Sequence, residues 1–141
     1  MFHLKVKRLT PQAKLPMAAH PGDLGCDLFS AENAEIPPGG QHKVKTGIAL
    51  EFPDGWGGVI KDRSSLAARR IYTAGGVIDA GYRGEIIVIV RNDSNTGYAV
   101  GAGDKIAQII PVKAPSWHVA EVDELGDTTR AESGFGSTGK K

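Results

Sequence analysis

The stretch GGVIDAGYRGEIIVIV, residues 75–90, sets a carboxylate and an aromatic ring three positions apart. A strand-like GVI leads into Asp79, and AGYRG turns the chain back into an apolar run. The result is a hairpin-like unit with a charge at its bend. A carboxylate is ionised near neutral pH and can take a proton from water as a general base. An aspartate before a glycine-containing turn also has ordinary backbone reasons to be there. Tyr82, at the mouth of the hairpin, can pack against a flat ligand or a sugar.

Four other stretches carry candidate chemistry. In DRSSLAARR, Arg63 precedes the hydroxyls of Ser64 and Ser65 at the start of a short helical pattern. Free N–H groups and a positive dipole end suit phosphate there, and an arginine can grip two oxygens at once. Ser64 or Ser65 would cap this helix, which is expected over residues 64–70. In GDKIAQII, Gln108 falls on a strand and is either an outward residue or an amide placed for a ligand. In GCDLFSAEN, Asp27 opens a strand, where a charge must be paired or functional. Cys26 beside it reads as a small apolar residue rather than a nucleophile, with no histidine close in sequence. The last stretch, RAESGFGSTGKK, holds Arg130 and Phe135 among Gly and Ser. From Gly126 onward Phe135 is the only large apolar side chain, too little to offset the entropy of ordering that segment. It is either a frayed end or a flap that orders over a ligand.

These groups need a scaffold, and the remaining pattern supplies one. HLKVKRL, HKVKTGIAL, WGGVIK, EIIVIVRN, TGYAV and KIAQIIPV read as strands. IPPGGQ, FPDGWGG and VGAGD read as turns. Many short strands with almost no helix indicate a β-sandwich or barrel. EIIVIV does not alternate, so both its faces are expected to be covered, by core or by a subunit partner.

The totals bound the function. The chain has 141 residues, 40% hydrophobic and 23% charged, enough for one domain with one core. Its 17 basic and 16 acidic side chains leave +1, so no bulk positive field recruits nucleic acid or an acidic membrane. A polyanion must be held by a few placed groups. Cys26 is the only cysteine, which excludes an internal disulfide and a multi-thiolate zinc site. His3, His20, His42 and His118 show no metal-ligand spacing. The first 22 residues carry Lys and Arg but no acid, yet alternate like a strand with no apolar signal core. No apolar run reaches a membrane-spanning length. A soluble, cytoplasmic protein is expected, with one domain over residues 1–125 and a flexible tail over 126–141.

In order along the chain, GCDL, RSSLA, GVIDAGYRGE, GDKIAQ and RAESGFGSTGK resemble the five motifs of the trimeric deoxyuridine triphosphate nucleotidohydrolases (dUTPases). The resemblance spans residues 22 to 139, and GVID..YRG and GFGSTG are its most specific parts. It implies a jelly-roll-like β-barrel with one short helix, and a homotrimer with three shared active sites. It implies hydrolysis of dUTP at the α-phosphorus to dUMP and pyrophosphate, with Mg²⁺ on the triphosphate. That activity would limit uracil in DNA and supply dUMP for thymidylate synthesis.

Residue by residue, Asp79 matches the aspartate that activates water, and Tyr82 the ring under deoxyribose that leaves no room for a 2′-hydroxyl. Arg63, Ser64 and Ser65 match the phosphate loop, and Gln108 a phosphate-contacting glutamine. Arg130 matches the arginine at the γ-phosphate and Phe135 the ring on uracil, with Gly136 and Ser137 completing the lid. Asp27 matches an aspartate near the metal's water shell. Thr73, Val77, Ile78 and Ile87 sit at hairpin positions where the family holds the base, largely through backbone groups.

The chain departs from the family pattern at four places. Ser65 stands where Gly is usual, Asp62 where Pro is common, Gly81 where Asp is frequent, and Ala131-Glu132-Ser133 where more glycine is usual. Asp62 adds a negative charge near a triphosphate. RSSLA and the TAG at Thr73 resemble the related dCTP deaminases, the alternative enzyme reading. Those enzymes carry a catalytic glutamate ten residues beyond the aspartate, where this chain has Ile89, which cannot move a proton. The other alternative is a non-catalytic nucleotide-binding homologue.

Overall fold

A computed structural model describes residues 1–136 and 139. Ten strands form, β1 (Lys5–Arg8), β2 (Cys26–Phe29), β3 (Ala34–Ile36), β4 (Gln41–Glu51), β5 (Trp56–Lys61), β6 (Ile71–Ala74), β7 (Val77–Ile78), β8 (Glu85–Asn92), β9 (Tyr98–Val100) and β10 (Lys105–Lys113). One helix, α1 (Ser64–Ala67), lies between β5 and β6. Two four-stranded sheets, β1-β4-β8-β6 and β2-β10-β5-β7, and the pair β3-β9 make the barrel. Every pairing is antiparallel. This is the all-β, jelly-roll-like architecture expected from the punctuated sequence.

Alternation places the core. Val44 and Thr46 of β4 and Ile86, Val88 and Val90 of β8 point inward and meet Leu28, Ile60, Ile106 and Ile109 from the other sheet. Fully burying one such aliphatic side chain contributes about 1.5–3 kcal/mol. The polar groups enclosed with them are satisfied. Thr46 Oγ1 donates to the Ile86 carbonyl, and Asn92 Nδ2 donates to the carbonyls of Ile36 and Thr96.

One expectation needs correction, that of the helix, and two other features bear on what the sequence led us to expect. EIIVIV is not covered on both faces within the chain. Ile86, Val88 and Val90 are buried, but Glu85, Ile87 and Ile89 on the other face are only half-buried. The helix is one turn rather than two, and its N-cap is Arg63, with no side-chain cap from either serine. It stops early because the chain must enter β6 at the buried Ile71. Arg70 turns it there at φ 63°, its N–H bonded to the Ala67 carbonyl and its carbonyl to the Asp93 N–H. The last strand, β10, ends at Lys113. Trp117, Val119, Val122 and Leu125 follow in exposed, irregular chain, Trp117 at 83% and Leu125 at 88% exposure.

Candidate active site

β7 and the turn after it stand beside β6 and β8 and enclose a cleft of about 220 Å³. Ala74, Ile87 and Ile89 give it an apolar floor, Val77 and Ile78 line it from β7, and Asp79, Tyr82 and Glu85 add its polar edge. The half-buried face of β8 is therefore the floor of a site. The hairpin comes close to β5 only because residue 76 is glycine. Its φ is 95°, a Cβ there would lie 2.9 Å from the Ile60 carbonyl oxygen, and its own carbonyl accepts from the Ile60 N–H at 2.7 Å.

The bend that carries the carboxylate is tightly made. Tyr82 N–H donates to the Asp79 carbonyl at 3.0 Å, and Tyr82 Oη donates to the Glu85 carbonyl at 2.9 Å. The ring is thus fixed at the edge of the cleft. Asp79 is exposed, and among the described residues no donor reaches its carboxylate. It is free to accept a proton or a water, as a general base must be.

A second cluster forms where β2, β10 and β5 run side by side. Pairing sets Asp27 opposite Gln108, and Gln108 opposite Lys61, two residues before Arg63. Asp27 Oδ1 accepts from Arg63 Nε at 3.2 Å and Oδ2 faces Lys105 Nζ at 2.8 Å. The charge that the sequence places at the start of β2 is therefore paired twice. Gln108 Nε2 donates to the Asp62 carbonyl at 2.9 Å. Its other side lies over Gly25, where a Cβ would meet Gln108 Oε1 at 2.5 Å. Ser64 and Ser65 are exposed in the first turn of α1, where N–H groups have no intrahelical partner. Burial pushes the Cys26 thiol up, and the charges of Asp27 and Asp23 add to that. A thiol so placed is a poor nucleophile, in line with its reading as a packing residue.

The expected site residues therefore divide. Val77, Ile78, Asp79, Tyr82 and Ile87 line the cleft, while Asp27, Arg63 and Gln108 meet in the polar cluster, next to Ser64 and Ser65. Thr73 lines neither. Its N–H donates to Asp62 Oδ1 at 2.6 Å and its hydroxyl donates to the same oxygen. Arg130, Phe135 and Gly136 are exposed and line neither, with Arg130 Nε donating to the Ser133 carbonyl. Ser137 lies outside the described residues. Lys105, Glu85 and Ala74 were not legible as site residues. Each stands in or beside a quoted motif, and strand pairing is what brings it to the site.

The dUTPase family model matches residues 11–139. The chain is 46% identical over 144 residues to the deoxyuridine 5'-triphosphate nucleotidohydrolase of Alkaliphilus metalliredigens, covering 100% of both chains. It is 46% identical to that of Mycolicibacterium gilvum, covering 96% of this chain and 94% of the relative. Among solved structures, a mutant Staphylococcus bacteriophage 80alpha dUTPase with dUpNHpp superposes with TM-score 0.91 at 28% identity, covering 98% of this chain and 99% of that one. A mutant dUTPase from phage phi11 of S. aureus, described with a structural Mg(II) ion, has TM-score 0.82 at 26% identity, covering 89% of this chain and 99% of that one. With four of its five motifs gathered into an apolar cleft and a polar cluster, and with full-length relatives of one activity, the chain belongs to the dUTPase family.

Proposed function

We propose that the cleft beside β8 holds the deoxyuridine and that the Asp27–Arg63–Gln108 cluster of another copy holds the triphosphate. Family membership gives the reaction, the hydrolysis of dUTP to dUMP. The observation that carries the proposal is the division of the site. Among the described residues of one chain, no side chain lines both the cleft and the contacts around Asp27. A homotrimer with shared sites joins them, and the exposed Trp117, Val119, Val122 and Leu125 supply apolar surface for such contacts. Residues 1–125 then act as the barrel domain. Residues 126–141 act as the lid, bringing Arg130, Phe135, Gly136 and Ser137 over the bound nucleotide.

In this site Tyr82 packs under the sugar and crowds the 2′-position. The backbone of Val77 and Ile78, with the side chain of Ile87, holds the base against the apolar floor. Arg63, Ser64, Ser65 and Gln108 fix the phosphates for in-line attack. Asp79 accepts the proton of the attacking water, whose oxygen bonds to the α-phosphorus as pyrophosphate leaves. Mg²⁺ fits as a partner carried on the triphosphate. Among the described residues no three acidic, His or Cys side chains converge on one point, and Asp27 already faces two cations. Asp27 is thereby suited to hydrogen-bond the metal's water rather than to ligate it. When bound, the metal neutralises phosphate charge. Among the described residues no helix is long and apolar enough to cross a membrane, and a soluble nucleotide substrate favours a cytoplasmic setting.

Incubation with dUTP, dCTP, dTTP and UTP plus Mg²⁺ tests the reading. Pyrophosphate from dUTP alone is the expected result, with a trimer by light scattering. Ammonia from dCTP would transfer the reading to a deaminase, and an active monomer would end the shared-site assignment.

A further inference from the structure

Asp62 has no part in the reading above, and its charge stands at a place where a triphosphate is expected close by. The structure shows that charge held by two hydrogen bonds. Asp62 Oδ1 accepts from both the N–H and the hydroxyl of Thr73, at the centre of β6. Its main-chain carbonyl accepts from Gln108 Nε2 at 2.9 Å. One residue therefore ties together the end of β5, the middle of β6 and the centre of β10. Arg63 follows it directly, and Arg63 is held on its far side by Asp27 at 3.2 Å. Ser64 and Ser65 come next and have no cap of their own.

We propose that Asp62 is a positioning residue for polyphosphate, setting Arg63–Ser65 and Gln108 in the arrangement that receives the phosphate chain. The proposal rests on the reading that those residues bind phosphate. A proline would stiffen the loop by restricting φ. Asp62 reaches the same end with a bracket of two hydrogen bonds from Thr73, which also hold its negative charge in place. Without the bracket the loop gains conformations, and each bound phosphate must then order it.

Four variants decide the matter, each measured for binding of a non-hydrolysable dUTP analogue and of deoxyuridine, with dUTP turnover alongside. Asp62→Ala should weaken the analogue by about tenfold, the scale of one net hydrogen bond lost, and leave deoxyuridine within about twofold. Thr73→Val, which keeps the shape but loses the hydroxyl, should move the same ratio in the same direction. Asp62→Asn keeps the acceptor oxygen and should restore most of the affinity. A merely structural role would lower the melting temperature and affect both ligands alike. Equal losses for both ligands, or no rescue by Asp62→Asn, would overturn the proposal. Arg63→Ala separates the two levels. If it weakens the analogue while Asp62→Ala does not, only the positioning role falls. If Arg63→Ala leaves the analogue's affinity intact, the phosphate reading falls and takes the positioning role with it.

Discussion

Asp27→Asn removes one charge from the middle of the polar cluster and almost no volume. The carboxylate is 14% exposed and lies between Arg63, at 28% exposure, and Lys105, at 37%. At an effective dielectric of about 20, one unit pair near 4 Å attracts by about 4 kcal/mol before desolvation. Most of that is not net stability. The Lys105 pair is open to water and contributes about 0.2–1 kcal/mol. The Arg63 contact is a hydrogen bond to a charged group, about 1.5–3 kcal/mol, and the asparagine oxygen keeps part of it. The new amide cannot receive Lys105, so that ammonium swings out to solvent. The sum is a loss of about 1–2 kcal/mol, or roughly 3–8 °C in melting temperature for a chain of this size. The assay is thermal unfolding at about 0.01 M and about 1 M salt, between which the Debye length falls from about 30 to about 3 Å. The parent should lose part of its advantage over the variant at high salt. Because Asp27 also aims Arg63, KM for dUTP should rise in the variant. An unchanged melting temperature together with an unchanged KM would refute the coupling between this ion-pair cluster and phosphate binding.

Asp79→Asn should lower kcat by about 10²–10⁴-fold, the usual size of a general-base contribution, with KM and melting temperature unchanged. Its side chain is exposed and only its backbone closes the turn; single-turnover rates near the parent's would end the assignment. Gly76→Ala forces a Cβ to 2.9 Å from the Ile60 carbonyl at φ 95°. It should destabilise the fold by about 2–3 kcal/mol through conformational cost and contact, read as a fall in the denaturation midpoint. At Glu32, burial pushes the carboxyl up, but the His42 hydrogen bond and the Lys45 N–H outweigh it and hold it below its ordinary value. A depressed carboxyl contributes stability above its unfolded value and loses it as pH falls through the folded one. Glu32→Gln should thus cost under about 1 kcal/mol at neutral pH, and the difference should vanish on acidification. Deleting residues 126–141 should leave the barrel and the proposed trimer intact and reduce kcat far more than dUTP affinity, as expected for a lid; full activity would make the segment a frayed end.

Much of this protein is local and so was legible in the chain. β5 and β8 begin and end where WGGVIK and EIIVIVRN do, because glycine and proline punctuation and β-branched runs act over a few residues. The hairpin with Asp79 at its bend and Tyr82 at its mouth was legible for the same reason. What the tertiary structure decided depends on which strands lie side by side. EIIVIV looks buried on both faces, yet only the pairing of β8 with β4 and β6 shows one face in the core and the other as the cleft floor. Two turns of helix were expected after Ser64, but the need to bury Ile71 in β6 stops it after one. Lys105 becomes a partner of Asp27 through the β2–β10 register, across residues far apart in sequence. Thr73 was expected at a base-holding position from the family resemblance, and its N–H and hydroxyl donate to Asp62, a pairing set by how β6 meets the end of β5. Motif identity is carried by short-range chemistry, which one chain records directly. The division of those motifs between a cleft and a separate cationic cluster is a matter of sheet topology, which exists only once the strands have paired.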